Sequence, residues 1–310
     1  MFLHCWSVRA LRLRKAPRDA LSRAILLIAL SLLVATSSAH GAPGKRADKI
    51  GDVDTEHMFG FTEGSDIGEV GEKELETDST GRFGRSGGSY NNVAAALEAK
   101  YSFSDKFRLS VDATVAYYDI AGVDGLDDRR RGALQSVSFE ARYRVFDREH
   151  ALFGLTLSLE PHWGFASGAP ADQQSANFRL LADRALIASR LYGAFNIDYE
   201  PVQTRLRGSA ETFRDSTFGI GAALAMRITP NVFIGAEARN LRHYEGLGLS
   251  AFAGQALYIG PTLYAIFGQG YFLSAAWNVQ VWGAVAGSSG PLDLINFERH
   301  QVKLRFGVTF

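Results

Sequence analysis

Charged side chains recur two residues apart along this 310-residue chain: Glu98 and Lys100; Glu140, Arg142 and Arg144; Arg205 and Arg207; Glu237 and Arg239; Lys303 and Arg305. In a β-strand an i, i+2 spacing puts side chains on one face. Arg108, Asp112, Glu160, Arg190, Asp198, Glu211, Arg227 and Arg299 extend the set. Among its cations arginine outnumbers lysine ten to two, and the planar guanidinium suits bidentate pairing with carboxylates or anionic solutes. Two outcomes follow. Ion pairs could fill and rigidify a closed interior, or a ring of charge could select what passes. Arg299, Lys303 and Arg305 share one face of the last segment and form the best anion-attracting ladder.

Catalytic chemistry finds less support. An acyl hydrolase needs a histidine placed to take a serine proton. His57, His150, His162, His243 and His300 are available, and Ser158 alternates with Glu160 and His162. No nucleotide loop, HExxH or GxSxG accompanies them, so no enzyme, cofactor or metal centre is expected. The single cysteine, Cys5, excludes a disulfide scaffold and a cysteine-based zinc site. Equal numbers of basic and acidic residues, 33 each, give no basic surplus for a nucleic-acid partner.

The elements that position these charges read as long strands. Phe107, Leu109, Val111, Ala113, Val115 and Tyr117 alternate with Arg108, Ser110, Asp112, Thr114 and Ala116. Val137, Phe139, Ala141, Tyr143 and Val145 do the same against Ser138, Glu140, Arg142 and Arg144. Such ribbons have one apolar and one polar face. Each runs for about 10–14 residues, whereas strands of soluble domains average about 5–6, and a tilted membrane-crossing strand needs about 9–11. Aromatic residues gather at strand ends, among them Tyr101, Phe103, Phe107, Tyr117, Phe153, Trp163 and Phe267, as at membrane interfaces. Strands are placed at about 73–83, 91–103, 106–119, 133–147, 150–163, 183–199, 203–213, 217–229, 231–243, 254–267, 270–283 and 298–310. The fold class is all-β, a transmembrane antiparallel up-and-down β-barrel of about 12 strands, with 10 or 14 as the neighbouring solutions.

Residues ahead of the strands divide in two. Six bases between Arg9 and Arg23, an apolar run from Ala24 to Ala35 and small residues to Ala42 describe a secretory signal peptide, 1–41, cleaved after Ala39 or Gly41. Its loss leaves a net charge of −5 and no cysteine. From Gly51 to Asp78 ten acids face one base, Lys73, and five glycines interrupt any regular element. Residues 42–71 are read as a solvated, acidic, glycine-rich periplasmic lead-in to a barrel of residues 72–310. Two other readings are a segment that folds into the lumen and pairs with inward arginines, and a calcium loop, which lacks the full EF-hand pattern.

The chain ends in phenylalanine, with apolar residues at every second position before it: Val302, Leu304, Phe306, Val308 and Phe310. This resembles the C-terminal assembly signal of Gram-negative outer-membrane β-barrel proteins, a porin-like class. The resemblance implies an outer-membrane location among lipid and lipopolysaccharide, and the barrel-assembly machinery as a partner during biogenesis. It also implies a narrow passive channel for small polar solutes, with a mild preference for anions. The candidate permeant-selecting residues are Arg108, Arg142, Arg144, Arg190, Arg227, Arg239, Arg299, Lys303, Arg305, Glu98, Asp112, Glu140, Glu160 and Glu237. The alternative is a closed structural or interaction barrel sealed by ion pairs; a lipid-modifying enzyme is a third reading.

Overall fold

A computed structural model describes residues 53–165, 171–208, 211–268 and 270–310. Twelve antiparallel strands close into one barrel: β1 (Lys73–Phe83), β2 (Ser89–Ser104), β3 (Phe107–Ala121), β4 (Arg129–Phe146), β5 (Gly154–Phe165), β6 (Ala171–Ile187), β7 (Leu191–Leu206), β8 (Thr212–Thr229), β9 (Val232–Glu245), β10 (Phe252–Phe267), β11 (Tyr271–Val285) and β12 (His300–Thr309). Closure runs from Glu74↔Thr309 to Phe83↔His300, joining β1 to β12 and leaving no free edge. Both ends of the barrel chain lie at the end with short turns, such as those between β2 and β3 and between β8 and β9.

Burial is inverted relative to a soluble sandwich. Phe139 is 56% exposed while its neighbour Glu140 is 4% exposed. Leu109, Val111, Tyr143 and Leu157 also face outward, and Arg108, Ser110, Arg142 and Ser158 are buried inside. Only hydrocarbon outside makes that arrangement stable. Phe139→Arg is therefore expected to lower the unfolding free energy from lipid by about 2–4 kcal/mol, measured by equilibrium denaturation. A loss as small as that of an exposed loop substitution would show that Phe139 does not face hydrocarbon.

The sequence places the strand count and most boundaries correctly, but not those of the middle of the barrel. The region read as an outer loop at 164–182 contributes β6, which starts at Ala171, and the strand read at 183–199 is parted by a turn at 188–190. Two physical reasons apply. Asp172, Gln173, Gln174 and Ser175 give the start of β6 no apolar face, and the turn is carried by Ser189 at φ 57° without glycine or proline. Glu200-Pro201-Val202, read as a turn, lies inside β7; the β6 ladder skips from Ser175↔Val202 to Phe178↔Tyr199 and so passes over the proline, which has no N–H to donate.

The acidic segment is the second correction. Residues 55–59 and 62–67 are buried inside the barrel rather than solvated beneath it. Met58 and Phe59 pack with Tyr192, Ala194, Phe233, Tyr264 and Phe272 on the wall. The chain bends there at Gly60 (φ +87°), where a Cβ would stand 2.7 Å from that of Ala276 and 2.8 Å from a Glu237 oxygen. Only glycine fits so close an approach. The signal peptide and residues 42–52 lie outside the described residues.

Candidate functional site

Residues 53–70 fill the half of the lumen nearest the short turns, and three of their carboxylates are docked on inward cations. Glu56 accepts from both terminal nitrogens of Arg108 and, at 2.9 Å, from Lys100 Nζ; Arg142 Nη1 stands 3.1 Å away. Glu63 accepts from Arg142 Nη2 at 2.6 Å, Arg179 Nη1 at 2.9 Å and Arg305 Nη2 at 2.9 Å, with Lys303 Nζ at 3.7 Å. Asp66 accepts from Arg144 at 2.7 Å and Arg148 at 3.4 Å. Arg142 thus holds two segment carboxylates at once and also lies 2.8 Å from Glu140 on the wall.

The wall also receives the segment's backbone. Glu237 accepts from the amides of Phe61 at 3.1 Å and Thr62 at 2.7 Å, and from Asn278 at 2.7 Å. Asn196 accepts from the Glu63 amide at 2.7 Å and donates to its carbonyl at 2.8 Å. His57 stacks on Phe272 with centroids 4.4 Å apart, bonds Glu74 through Nε2 at 3.1 Å and lies 2.6 Å from Arg305 Nη1 through Nδ1. That geometry is the neutral tautomer, Nδ1 accepting and Nε2–H donating. Asp54, His57 and Glu74 approach one another as a metal set would, but Arg305 and Lys100, which reaches Glu74 at 2.9 Å, already supply the positive charge there.

Burial favours the neutral form of a carboxyl group, yet both segment glutamates remain ionised. Arg108, Lys100 and Arg142 outweigh burial and hold Glu56 well below the usual carboxylate range. Arg179, Arg142, Arg305 and Lys303 do the same for Glu63.

Beyond the segment, toward the longer loops, the lumen widens into a polar cavity of about 710 Å³. Glu98, Asp112 and Glu160 line it, and Ser138 Oγ bridges Asp112 and Glu160 (2.9 Å to the latter). The stretch between β11 and β12 folds against the rim, where Arg85 pairs with Glu298 at 2.7 Å. Arg239 lies over the Phe61 ring at 4.0 Å and donates to Gln301 at 2.6 Å.

The expected residues therefore separate into groups. Arg108, Arg142, Arg144, Glu140, Glu237, Lys303 and Arg305 meet at the segment, as ion-pair or hydrogen-bond partners of it or of each other. Arg227 lies under the Phe233 ring at 5.0 Å, near the short turns. Arg190 is not inward: it occupies the exposed turn between β6 and β7, because that turn falls inside the strand assigned from sequence. Arg299 sits in the bend before β12 and donates to the Gln280 carbonyl at 2.6 Å, so the ladder on β12 consists of Lys303 and Arg305. Val302, Leu304 and Phe306 form the outward row of β12, with Phe306 stacked between Phe267 and Tyr271; Val308 continues the same alternation but is buried. Sequence reasoning misses Arg179, which lies in the stretch read as a loop; alternation of Phe178 and Leu180 with Asn177 and Arg179 is the signal that reveals it.

Ser158, His162 and His300 each have partners other than one another. Ser158 donates to Glu140 at 2.7 Å, His162 Nε2 is 3.6 Å from Glu160, and His300 stacks on Trp277 with centroids 6.0 Å apart.

The model of a family of unknown function, DUF6662, matches residues 51–310. No curated protein matches the chain. Among solved structures, an outer-membrane channel from Pseudomonas putida F1 aligns at TM-score 0.52 and 10% identity, over 84% of this chain and 100% of that one. The β domain of the Bordetella autotransporter BrkA aligns at 0.48 and 16% identity, over 78% and 100%. The NanC porin aligns at 0.46 and 11%, over 76% and 98%. The likeness to the first of these is a likeness of fold, that of an outer-membrane β-barrel.

Proposed function

The chain belongs to DUF6662, a family of unknown function, and we propose that it is an outer-membrane solute channel closed by its own residues 53–70. One observation carries this reading. A single lumen holds a polar cavity of about 710 Å³ that ends on a segment joined to the wall by side chains. Residues 53–70, with their turn at 56–61, make no β-ladder with any strand, whereas every wall strand pairs on both sides. The segment can therefore leave without breaking the ladder that holds the barrel. Residues 1–41 direct export in a Gram-negative cell, the short turns face the periplasm, and the outward row ending in Phe310 is recognised by the assembly machinery while lipid and lipopolysaccharide surround the wall.

The second reading, a permanently closed barrel with a structural or interaction role, is favoured by the density of buried ion pairs around Glu56 and Glu63. A reversible tether separates the two. A Cβ built on Gly221 lies 3.1 Å from Thr62 Oγ1, the separation a bridging sulfur requires, and Cys5 is the chain's own cysteine. Thr62→Cys with Gly221→Cys is expected to stay at leak conductance in planar bilayers when oxidised, at any pH. After reduction it should open under the acid conditions that discharge the segment. Silence in both redox states would favour the closed barrel; equal conductance in both would show that the segment is not the gate.

A further inference from the structure

We infer that Glu56 and Glu63 occupy, as internal stand-ins, a two-part binding site for a solute carrying several carboxylates, and that such a solute competes with the segment for the lumen. The inference rests on the channel reading for its consequence, opening, but not for the site itself.

The site is built by the wall. Lys100, Arg108 and Arg142 converge on one carboxylate, and Arg142, Arg179 and Arg305 on the other. Arg108, Arg142 and Lys100 are almost fully buried, with side chains 3–4% exposed. Arg108 takes Glu56 through both terminal nitrogens, the fork-on-carboxylate geometry that gives guanidinium its selectivity. Both halves lie on one guanidinium, that of Arg142, so a single compact polycarboxylate can bridge them.

Charge accounts for why the site needs an anion. These five cations and Lys303 face six wall carboxylates in the same network: Glu74, Glu76, Asp78 and Glu140 in close contact, and Glu98 and Glu160 at 3.8 and 3.7 Å. Withdrawing Glu56 and Glu63 takes two negative charges out of this buried network and leaves Arg108 with no carboxylate nearer than Glu140 at 4.0 Å. Uncompensated buried charge is costly, so the vacated site must take up anions. Two carboxylates on one solute restore the balance that two on the segment provided. The segment is thus a tethered competitor, and its high local concentration keeps the site filled until a free solute outcompetes it.

The experiment uses the full mature chain with Glu56→Gln and Glu63→Gln, and sodium citrate as the probe, at neutral pH. Calorimetric titration in detergent is expected to show citrate binding at least tenfold tighter than to the wild-type chain, lost when Arg142→Ala is added, with acetate binding weakly throughout. Citrate binding within twofold of wild type, or no tighter than acetate, overturns the site. Bilayer recording of the same variant tests the channel reading separately: chloride conductance without citrate block refutes the inference and leaves the channel. Citrate binding without conductance at any pH refutes the channel and leaves the site. Should the double variant fail to fold, Glu63→Gln alone exposes the Arg179–Arg305 half and must still strengthen citrate binding.

Discussion

Arg142→Ala is expected to lower the unfolding free energy of the barrel by about 3–5 kcal/mol, the loss seen when one partner of a buried ion pair is removed. The position is extreme because the guanidinium serves three buried carboxylates: Glu63 at 2.6 Å, Glu140 at 2.8 Å and Glu56 at 3.1 Å. Alanine leaves all three in a low-dielectric interior with fewer cations, and the segment's two glutamates lose the group they share. Arg207 provides the contrast. Its pair with Asp172 is shorter than two of these contacts, at 2.6 Å, yet both side chains are more than half exposed, so Arg207→Ala should cost under about 1 kcal/mol. Denaturant titration of both variants in lipid, followed by the mobility shift of the folded barrel, reads the difference. A second-site Glu63→Gln should recover part of the Arg142→Ala loss, because it removes one of the stranded charges. Equal losses at Arg142 and Arg207 would mean that water reaches the network and that the lumen is open.

The wall was legible in the sequence because a membrane barrel writes its geometry with period two. Val111 and Phe139 must meet lipid, and Arg108 and Glu140 must avoid it, so alternation alone orients the strands. The alternation fades where the wall leaves hydrocarbon. Asp172 to Ser175 needs no apolar face, and the strand there is specified by pairing with β5 and β7, which no local pattern reports. Pro201 misled for the opposite reason: a strong turn signal is silent when the neighbouring ladder skips the residue. The segment was harder still. Ten acids with five glycines have the composition of a solvated tail, and nothing local distinguishes a carboxylate that seeks water from one that seeks Arg108. The clue is global. Arg108 and Arg142, on adjacent inward-facing strand positions, need buried acceptors, and Glu56 reaches both.

Acid is expected to open the proposed channel, and the pH at which it does so tests the network. Glu56 faces Lys100 on β2, Arg108 on β3, Arg142 on β4 and the adjoining His57; Glu63 faces Arg142, Arg179 on β6, and Lys303 and Arg305 on β12. Both carboxyl groups are held well below their ordinary value of 4.5 against the opposing effect of burial. A depressed folded-state value means that docking is fully stabilised above the ordinary carboxylate range and is lost only as the pH falls through the lower, docked value. The wild-type barrel should therefore stay at leak conductance from neutral pH down to about 4, the ordinary glutamate value, and pass to sustained openings only in stronger acid. Above that point the carboxylates are charged in both states and pH has no purchase on them. Glu63→Gln removes one docked charge permanently, leaving Arg179 to Glu140 and Arg305 to Asp78 and Glu76 on the wall, and should move the opening toward neutral pH. The same recordings under high salt discriminate further. Screening acts weakly on buried pairs, so salt alone should leave the wild-type barrel closed, whereas an exposed electrostatic latch would release in both salt and mild acid. Opening already complete near pH 5 would mean that Glu56 and Glu63 titrate as solvated groups and that the segment does not dock as described.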